Sequence, residues 1–279
     1  MSDAIYSRYR FERYYNFVAT VDCVGCNLEC IFCFTRDERK RENINSKEIK
    51  DGSWKDIMPL NIENNCFSRI ENNIQTKNIF RRLSPASVFE GLIHLTKHCP
   101  TNHFRISGGE PTYYFDQLLE ILKLFQEKKN HENGNFYFIL ETNGIILGKD
   151  PSRISKLEKF KEFLHVRISF KTPTKEKYQK LTRRSIENHK YPYYALKFCL
   201  KHGIGVHPVL MREFILPNEL SIFKENLMKY TTDGKSPNFI LKSLEFERLF
   251  LYDYILHRFK NSDDEEIQEL VEGIDFDIN

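Results

Sequence analysis

Three cysteines, Cys26, Cys30 and Cys33, fall within the eight residues Cys26-Asn27-Leu28-Glu29-Cys30-Ile31-Phe32-Cys33. Thiols spaced C-x3-C-x2-C in one short loop can converge on a single metal centre. As ligands they are thiolates, and three crowded negative charges repel one another unless a cation or an iron-sulfur cluster neutralises them. Everything downstream of this loop therefore reads as scaffold for a metal centre.

Cys23 extends the string to C-x2-C-x3-C-x2-C, which raises rival metal readings. Zinc ribbons pair two C-x2-C knuckles across roughly 12 to 20 residues, so the gap here is too short for them. The bacterial ferredoxin run, C-x2-C-x2-C-x3-C followed by proline, has neither this spacing nor this ending. What remains is a [4Fe-4S] cube held by Cys26, Cys30 and Cys33 with its fourth iron open, and an open metal position usually means chemistry. Cys23 then reads as a buried residue ending a strand, since free cysteine is commonly buried.

With Phe32 as the aromatic before the third cysteine, the loop resembles the signature of the radical S-adenosylmethionine superfamily. The resemblance implies that S-adenosylmethionine chelates the open iron, accepts one electron and splits into methionine and a 5′-deoxyadenosyl radical that takes hydrogen from a substrate. It also implies an electron donor such as flavodoxin or ferredoxin.

A chain of 279 residues can bury one sizeable core, and α/β barrels of this length are commonly one domain. One domain is expected over 1–279, with a core at about 14–250. Hydrophobic residues at 41% and charged residues at 29% exclude an integral membrane protein. No apolar run reaches a membrane span, and the N-terminus lacks the apolar segment of a signal peptide. Isolated Cys66, Cys99 and Cys199 make no disulfide framework, so a reducing cytoplasmic location is expected. A net charge of +3 is too mild to indicate nucleic acid. The short clusters at Arg36 to Arg41, Arg81-Arg82 and Arg183-Arg184 read as solvated surface.

A β-prone run from Tyr14 to Val21 precedes the cysteines, placing the loop after a first strand. Residues 35–80, dense in charge and asparagine with the lone Trp54, read as an insertion near the mouth of the site, either a cover for the substrate or a variable surface excursion. Ser84-Pro85 is an N-cap and first-turn pair, followed by Val88, Leu92, Leu95 and Cys99 at helical spacing. Strands are then expected at His103–Ser107, Asn135–Thr142, His165–Phe170, Gly205–Leu210 and Ile240–Phe246. Between them, helices are marked by Phe115, Leu118, Leu119, Leu122 and Phe125, by Leu157, Phe160 and Leu164, by Ala195, Phe198, Cys199 and His202, and by Leu220, Phe223 and Leu227 after Pro217. Residues 260–279 read as an acidic tail. Alternating strands and helices demand a parallel sheet, which right-handed crossovers wind into an open or barrel form. The resemblance decides between them: an α/β fold, a partial (β/α)6 TIM-like barrel with the site at the C-terminal strand ends.

Gly108-Gly109-Glu110-Pro111 follows an expected strand and resembles the family's GGEP element, which contacts the cofactor's amino group. Glycines let backbone approach a ligand closely, and the proline fixes the exit. Glu141-Thr142-Asn143-Gly144 and Ser169-Phe170-Lys171 resemble two stretches of glycyl-radical-enzyme activating proteins. That resemblance implies cofactor contacts from Glu141, Asn143 and Ser169, and a clamp on the cofactor carboxylate from Lys171. Glu141 and Ser169 stand where that subgroup has aspartate, which puts its monovalent cation site in doubt. Glu247 is a further candidate. Single histidines, His94, His98, His103, His165, His202 and His207, read as surface or core. The sequence does not choose the substrate among a protein glycyl residue, a nucleoside or tRNA, and a small molecule. The competing class is a non-enzymatic iron-sulfur carrier or zinc-bearing nucleic-acid binder, for which Gly108 to Pro111 would have no role.

Overall fold

Strand alternation and helix caps account for most of the architecture in the computed structural model, which describes residues 4–12, 17–35, 49–58, 79–132, 135–232 and 237–249, with 255, 257, 259 and 265. The chain divides into two compact units. The acidic tail, most of the 35–80 insertion and the arginines at 36 to 41 lie outside the described residues, apart from Glu265 and residues 35, 49–58 and 79–80.

The first unit comprises Met1–Cys26, Asp37–Glu141 and Lys156–His165. Its strands are β1 (Ile5–Glu12), β2 (Val18–Cys23), β3 (Ile49–Asp51), β4 (Phe80–Arg82), β5 (His103–Gly108) and β6 (Tyr137–Thr142), in the order β3-β4-β1-β2-β5-β6. β2, β5 and β6 run parallel, as expected, and β1 pairs antiparallel with both β2 and β4. The strand leading to the cysteines is therefore the second of the chain, and it starts at Val18. β1 is an addition to the expected pattern, and its alternating Arg8, Tyr9, Arg10 and Phe11 conceal a strand that puts charge on one face.

Period-two alternation splits this sheet into two chemically different faces. On one, Ala19, Val21, Phe104, Ile106, Phe138 and Leu140 are buried, and Phe125 of a helix meets Phe104 at 4.6 Å and Phe138 at 5.3 Å between ring centroids. Burying one such ring is worth about 1.5–3 kcal/mol. The helices are α1 (Pro85–His98), capped by Ser84 with proline in its first turn, and α2 (Phe115–Glu132). On the other face, pairing sets Arg8 beside Asp22, Thr20 beside Arg105, and Asp22 beside Ser107.

The second unit comprises Asn27–Arg36, Thr142–Ser155 and Val166–Asn279. It carries α3 (Ile145–Lys149), α4 (Pro151–Leu157, whose last two residues fall in the first unit), β7 (Leu164–Phe170, whose first two residues fall in the first unit), α5 (Lys175–Thr182), α6 (Tyr191–Lys201), β8 (Gly205–Met211), α7 (Glu219–Tyr230), α8 (Asn238–Lys242) and β9 (Glu245–Glu247). β8 and β9 are parallel. Phe170 meets Tyr193 at 4.7 Å and Phe223 at 5.2 Å, joining strand to helices.

Three expectations are corrected here. Residues 238–242 are helical and only 245–247 form strand, so Ile240 is a buried helix residue. Leu164 opens β7 instead of closing a helix, since the helical turns end at Phe160. Leu220 is exposed, while Phe223 and Leu227, one and two turns on, are buried. In the first two cases short apolar runs satisfied both periods and long-range packing chose; at Leu220 the helix is as expected and its buried face runs through Phe223 and Leu227.

Candidate active site

The start of the cysteine loop is fixed within the first unit by three consecutive backbone carbonyls. Cys23 O accepts from Gly109 N–H at 2.9 Å, Val24 O from the Tyr114 hydroxyl at 2.7 Å, and Gly25 O from Glu110 N–H at 2.8 Å. The glycine turn thus holds the segment entering Cys26. Gly108 has φ +88°, the left-handed region that favours glycine. At Gly109 space is the constraint, because a Cβ there would lie 2.2 Å from Gly25 O. Glu110 is buried, and its carboxylate accepts from Thr112 N–H and hydroxyl, capping the short helical turn that begins at Pro111.

Within the second unit the rest of the loop leans on the end of α5. A helix leaves its last carbonyls without intrahelical partners; here Leu181 O accepts from Ile31 N–H at 3.0 Å and Thr182 O from Glu29 N–H at 3.1 Å. Arg183 ends α5 in the left-handed conformation and Arg184 pairs with the Glu29 carboxylate at 2.5 Å. One member of a basic pair read as solvated surface therefore grips the loop. Cys30 and Cys33 share one turn, closed by Cys33 N–H donating to Cys30 O at 3.1 Å.

Phe32 is buried among Ile31, Leu181, Ile145 and Phe214, with its ring 4.8 Å from that of Phe214. The aromatic of the signature anchors the loop by packing. Lys171 sits just past β7, its Nζ 5.9 Å from the centre of the Phe32 ring and 2.8 Å from Ser169 Oγ, to which it donates. Asn143 Nδ2 donates to Asn27 Oδ1 at 2.8 Å, tying the turn after β6 to the loop, while Asn143 Oδ1 accepts from Ile145 N–H at 3.1 Å. Ser169, Lys171, Asn143, Phe32, Cys30 and Cys33 all belong to this unit; Cys26, the glycine turn and Glu141 belong to the first.

Glu141 is engaged with neighbours in its own unit. It accepts from Arg105 Nη1 and from Ser107 Oγ, both at 3.1 Å. Arg105 also faces Glu12 at 3.6 Å, and Arg10 chelates Asp22 at 2.9 Å through both Nε and Nη2 while Arg8 adds a bond at 2.5 Å. Burial pushes the Asp22 carboxyl pKa up, but Arg10 and Arg8 outweigh it and hold the group far below the usual carboxylate range. Its contribution to stability is present above the unfolded pKa of about 3.9 and is lost only as pH falls below that toward the depressed native value. Asp22→Asn is expected to cost about 3 kcal/mol, by leaving two arginines with a weaker partner, and denaturant unfolding at neutral pH measures it. A loss within 0.5 kcal/mol, roughly what a surface change gives, would remove this network from the list of what holds the sheet. The signal for it in the sequence was polar alternation in β-prone segments: Thr20 and Asp22, Arg105 and Ser107. In the second unit Glu245 takes a two-point contact from Arg167, at 3.2 and 2.8 Å, and lies 3.0 Å from His207 Nε2. Glu247 lies 3.7 Å from Arg167, so it is part of this ion cluster.

The donor set suits a thiolate-held cluster. Cys26 is exposed, Cys33 is partly exposed and Cys30 is buried at the loop, and none of the three is in a disulfide. Cys23 differs, as expected: it ends β2, is buried, and burial followed by the Glu110 charge pushes its thiol pKa up, so it stays protonated. Among the described residues no three His, Cys, Asp or Glu side chains are gathered to hold one metal ion, and no helix is long and apolar enough to cross a membrane.

The family described as the Radical SAM superfamily matches residues 20–220. A cysteine-type anaerobic sulfatase-maturating enzyme of Clostridium perfringens is 25% identical over 140 residues, which are 49% of this chain and 28% of that protein. The chain thus spans under a third of the length of that curated relative. Among solved structures, Streptococcus suis SuiB bound to precursor peptide SuiA is similar in fold, with TM-score 0.50 and 16% identity over 89% of this chain and 44% of that one. Native anSMEcpe with bound AdoMet gives TM-score 0.47 and 19% identity over 89% of this chain and 60% of that one.

Proposed function

The chain belongs to the Radical SAM superfamily, and from that premise we propose that it is an enzyme in which Cys26, Cys30 and Cys33 hold a [4Fe-4S] cluster that binds S-adenosylmethionine. When bound, the pair supplies a one-electron reductive cleavage yielding methionine and a 5′-deoxyadenosyl radical, which takes a hydrogen atom from the substrate. A one-electron donor of the flavodoxin or ferredoxin class feeds the cluster.

The residues of the chain have distinct parts in this reading. The single observation that carries it is the clasp of Gly109, Glu110 and Tyr114 on the carbonyls of residues 23 to 25, because it joins the two family motifs physically at the point where the loop enters Cys26. Phe32 keeps the loop seated in apolar packing. Lys171, its ammonium oriented by Ser169, offers a positive charge to the methionine carboxylate of the cofactor.

Anaerobic reconstitution is expected to give about four irons and four sulfides per chain. Adding S-adenosylmethionine should perturb the electron paramagnetic resonance spectrum of the reduced cluster and release 5′-deoxyadenosine. Tightly bound zinc with no iron uptake would instead favour a zinc module. At equal cluster content, Lys171→Ala should weaken cofactor binding by about tenfold to a hundredfold, the worth of one charge-assisted contact. Unchanged binding would take Lys171 out of the cofactor site.

A further inference from the structure

His94 and His98 of α1 form a pair rather than two scattered residues. Four residues apart on a helix, their side chains share one face, and their Nε2 atoms lie 3.2 Å from each other with ring centroids 4.9 Å apart. Both rings are partly exposed. A zinc ion bonds imidazole nitrogen at about 2.0–2.1 Å, so two nitrogens on neighbouring corners of its tetrahedron stand roughly 3.3 Å apart. The spacing is also that of a single N–H···N hydrogen bond, in which one imidazole carries its proton on Nε2. The two alternatives differ in what they bind.

Trp54 covers the same face of the helix. Its backbone N–H donates to Ser87 Oγ at 2.9 Å, its indole N–H donates to Glu90 Oε2 at 3.2 Å, and its ring lies 4.4 Å from that of His94. Ser87, Glu90 and His94 follow one another by helical turns, so the indole runs along the ridge that ends at the histidine pair. Trp54 is thus held on α1.

We propose that His94 and His98 form a two-imidazole site for a divalent cation of the zinc class. Helical H-x3-H is the ligand spacing that zinc-binding helices use, and imidazole suits zinc, copper, iron and nickel. The first-unit helix carries both ligands, so the site needs no rearrangement of the sheet. With two protein ligands the remaining positions go to water, and the ion exchanges freely. Bound, it would fix the His94 ring beneath Trp54 and so fasten the turn at Trp54–Ile57 to α1.

Trp54 is the only tryptophan of the chain, which makes it a local reporter. The cluster-loaded protein is titrated anaerobically with Ni2+ while tryptophan fluorescence is recorded, and Zn2+ is then added as competitor. Saturable quenching by Ni2+, altered by Zn2+ competition, is expected. His98→Ala and His94→Ala should each shift the midpoint at least about tenfold upward, since even supporting residues of metal sites are worth that much. His98→Gln, which keeps a polar side chain of similar reach, should behave as His98→Ala. Absence of saturable quenching, or a midpoint unmoved in either alanine variant, overturns the site and leaves the pair as a hydrogen bond.

Discussion

Cys30→Ala should leave a folded chain that takes up little or no cluster iron and releases no 5′-deoxyadenosine from S-adenosylmethionine. The thiol is buried at the end of an apolar cluster containing Phe32, Leu181 and Phe214, and trading it for a methyl there costs on the order of 1 kcal/mol of stability. The loss of function follows from ligand count. A cube held by three thiolates with one open iron cannot spare one, because a second iron is then left without a protein ligand and the charge balance of the loop is upset. Cys26→Ala and Cys33→Ala should give the same outcome. Cys23→Ala is the control: its thiol is buried, protonated and at the end of β2, so iron content should match that of the unaltered protein. Iron and sulfide analysis beside circular dichroism separates the two classes. Loss of cluster in Cys23→Ala with retention in Cys26→Ala would move the ligand set one cysteine upstream.

Gly109→Ala should have the second largest effect although it removes no functional group. The added Cβ would stand 2.2 Å from Gly25 O and 3.0 Å from Gly25 C and N, all of them backbone atoms with no side-chain freedom to retreat. Either the turn or the loop must shift, breaking the bonds from Gly109 to Cys23 O and from Glu110 to Gly25 O. Overpacking at about 1–3 kcal/mol and two hydrogen bonds at about 0.5–1.5 kcal/mol each set the scale of the destabilisation. Because Gly25 immediately precedes Cys26, cluster occupancy should fall along with thermal stability, and cofactor binding should fall at whatever occupancy remains. Tyr114→Phe, which deletes only the hydroxyl bonded to Val24 O, should produce a milder version of the same defect. Wild-type occupancy and stability in Gly109→Ala would mean that the clasp does not position the loop.

The glycine motif illustrates how a correct reading of position can carry an incomplete reason. Gly108 closes the parallel strand β5 and Gly109 follows it, and close backbone approach was the expected use. The close approach actually visible is to the chain's own loop at Gly25. Phe32 is a similar case: the motif calls for an aromatic, and the ring is buried against Phe214, 182 positions further along. Nothing in the local spacing names that partner.

What the sequence determined by itself was whatever rests on local spacing. The glycine turn at the end of β5, the Ser84-Pro85 helix start, and the strands ending at Thr142 and Phe170 depend on residues within a few positions of one another. Tertiary structure decided what depends on distant partners. Arg8, Arg10 and Arg105 are tolerable inside a sheet only because pairing delivers Asp22, Glu12 and Glu141 to them, and those partners are distant from one another in sequence. Residues 238–242 became helix because Ile240 found burial there, a choice that a short apolar run leaves to packing. A carbonyl left open at a helix end, as at Leu181 and Thr182, is a local certainty, but that the cysteine loop would be the one to satisfy it is a long-range fact. Burial and pairing energies are collected only when the chain has closed on itself, and the residues that collect them need not be near in sequence.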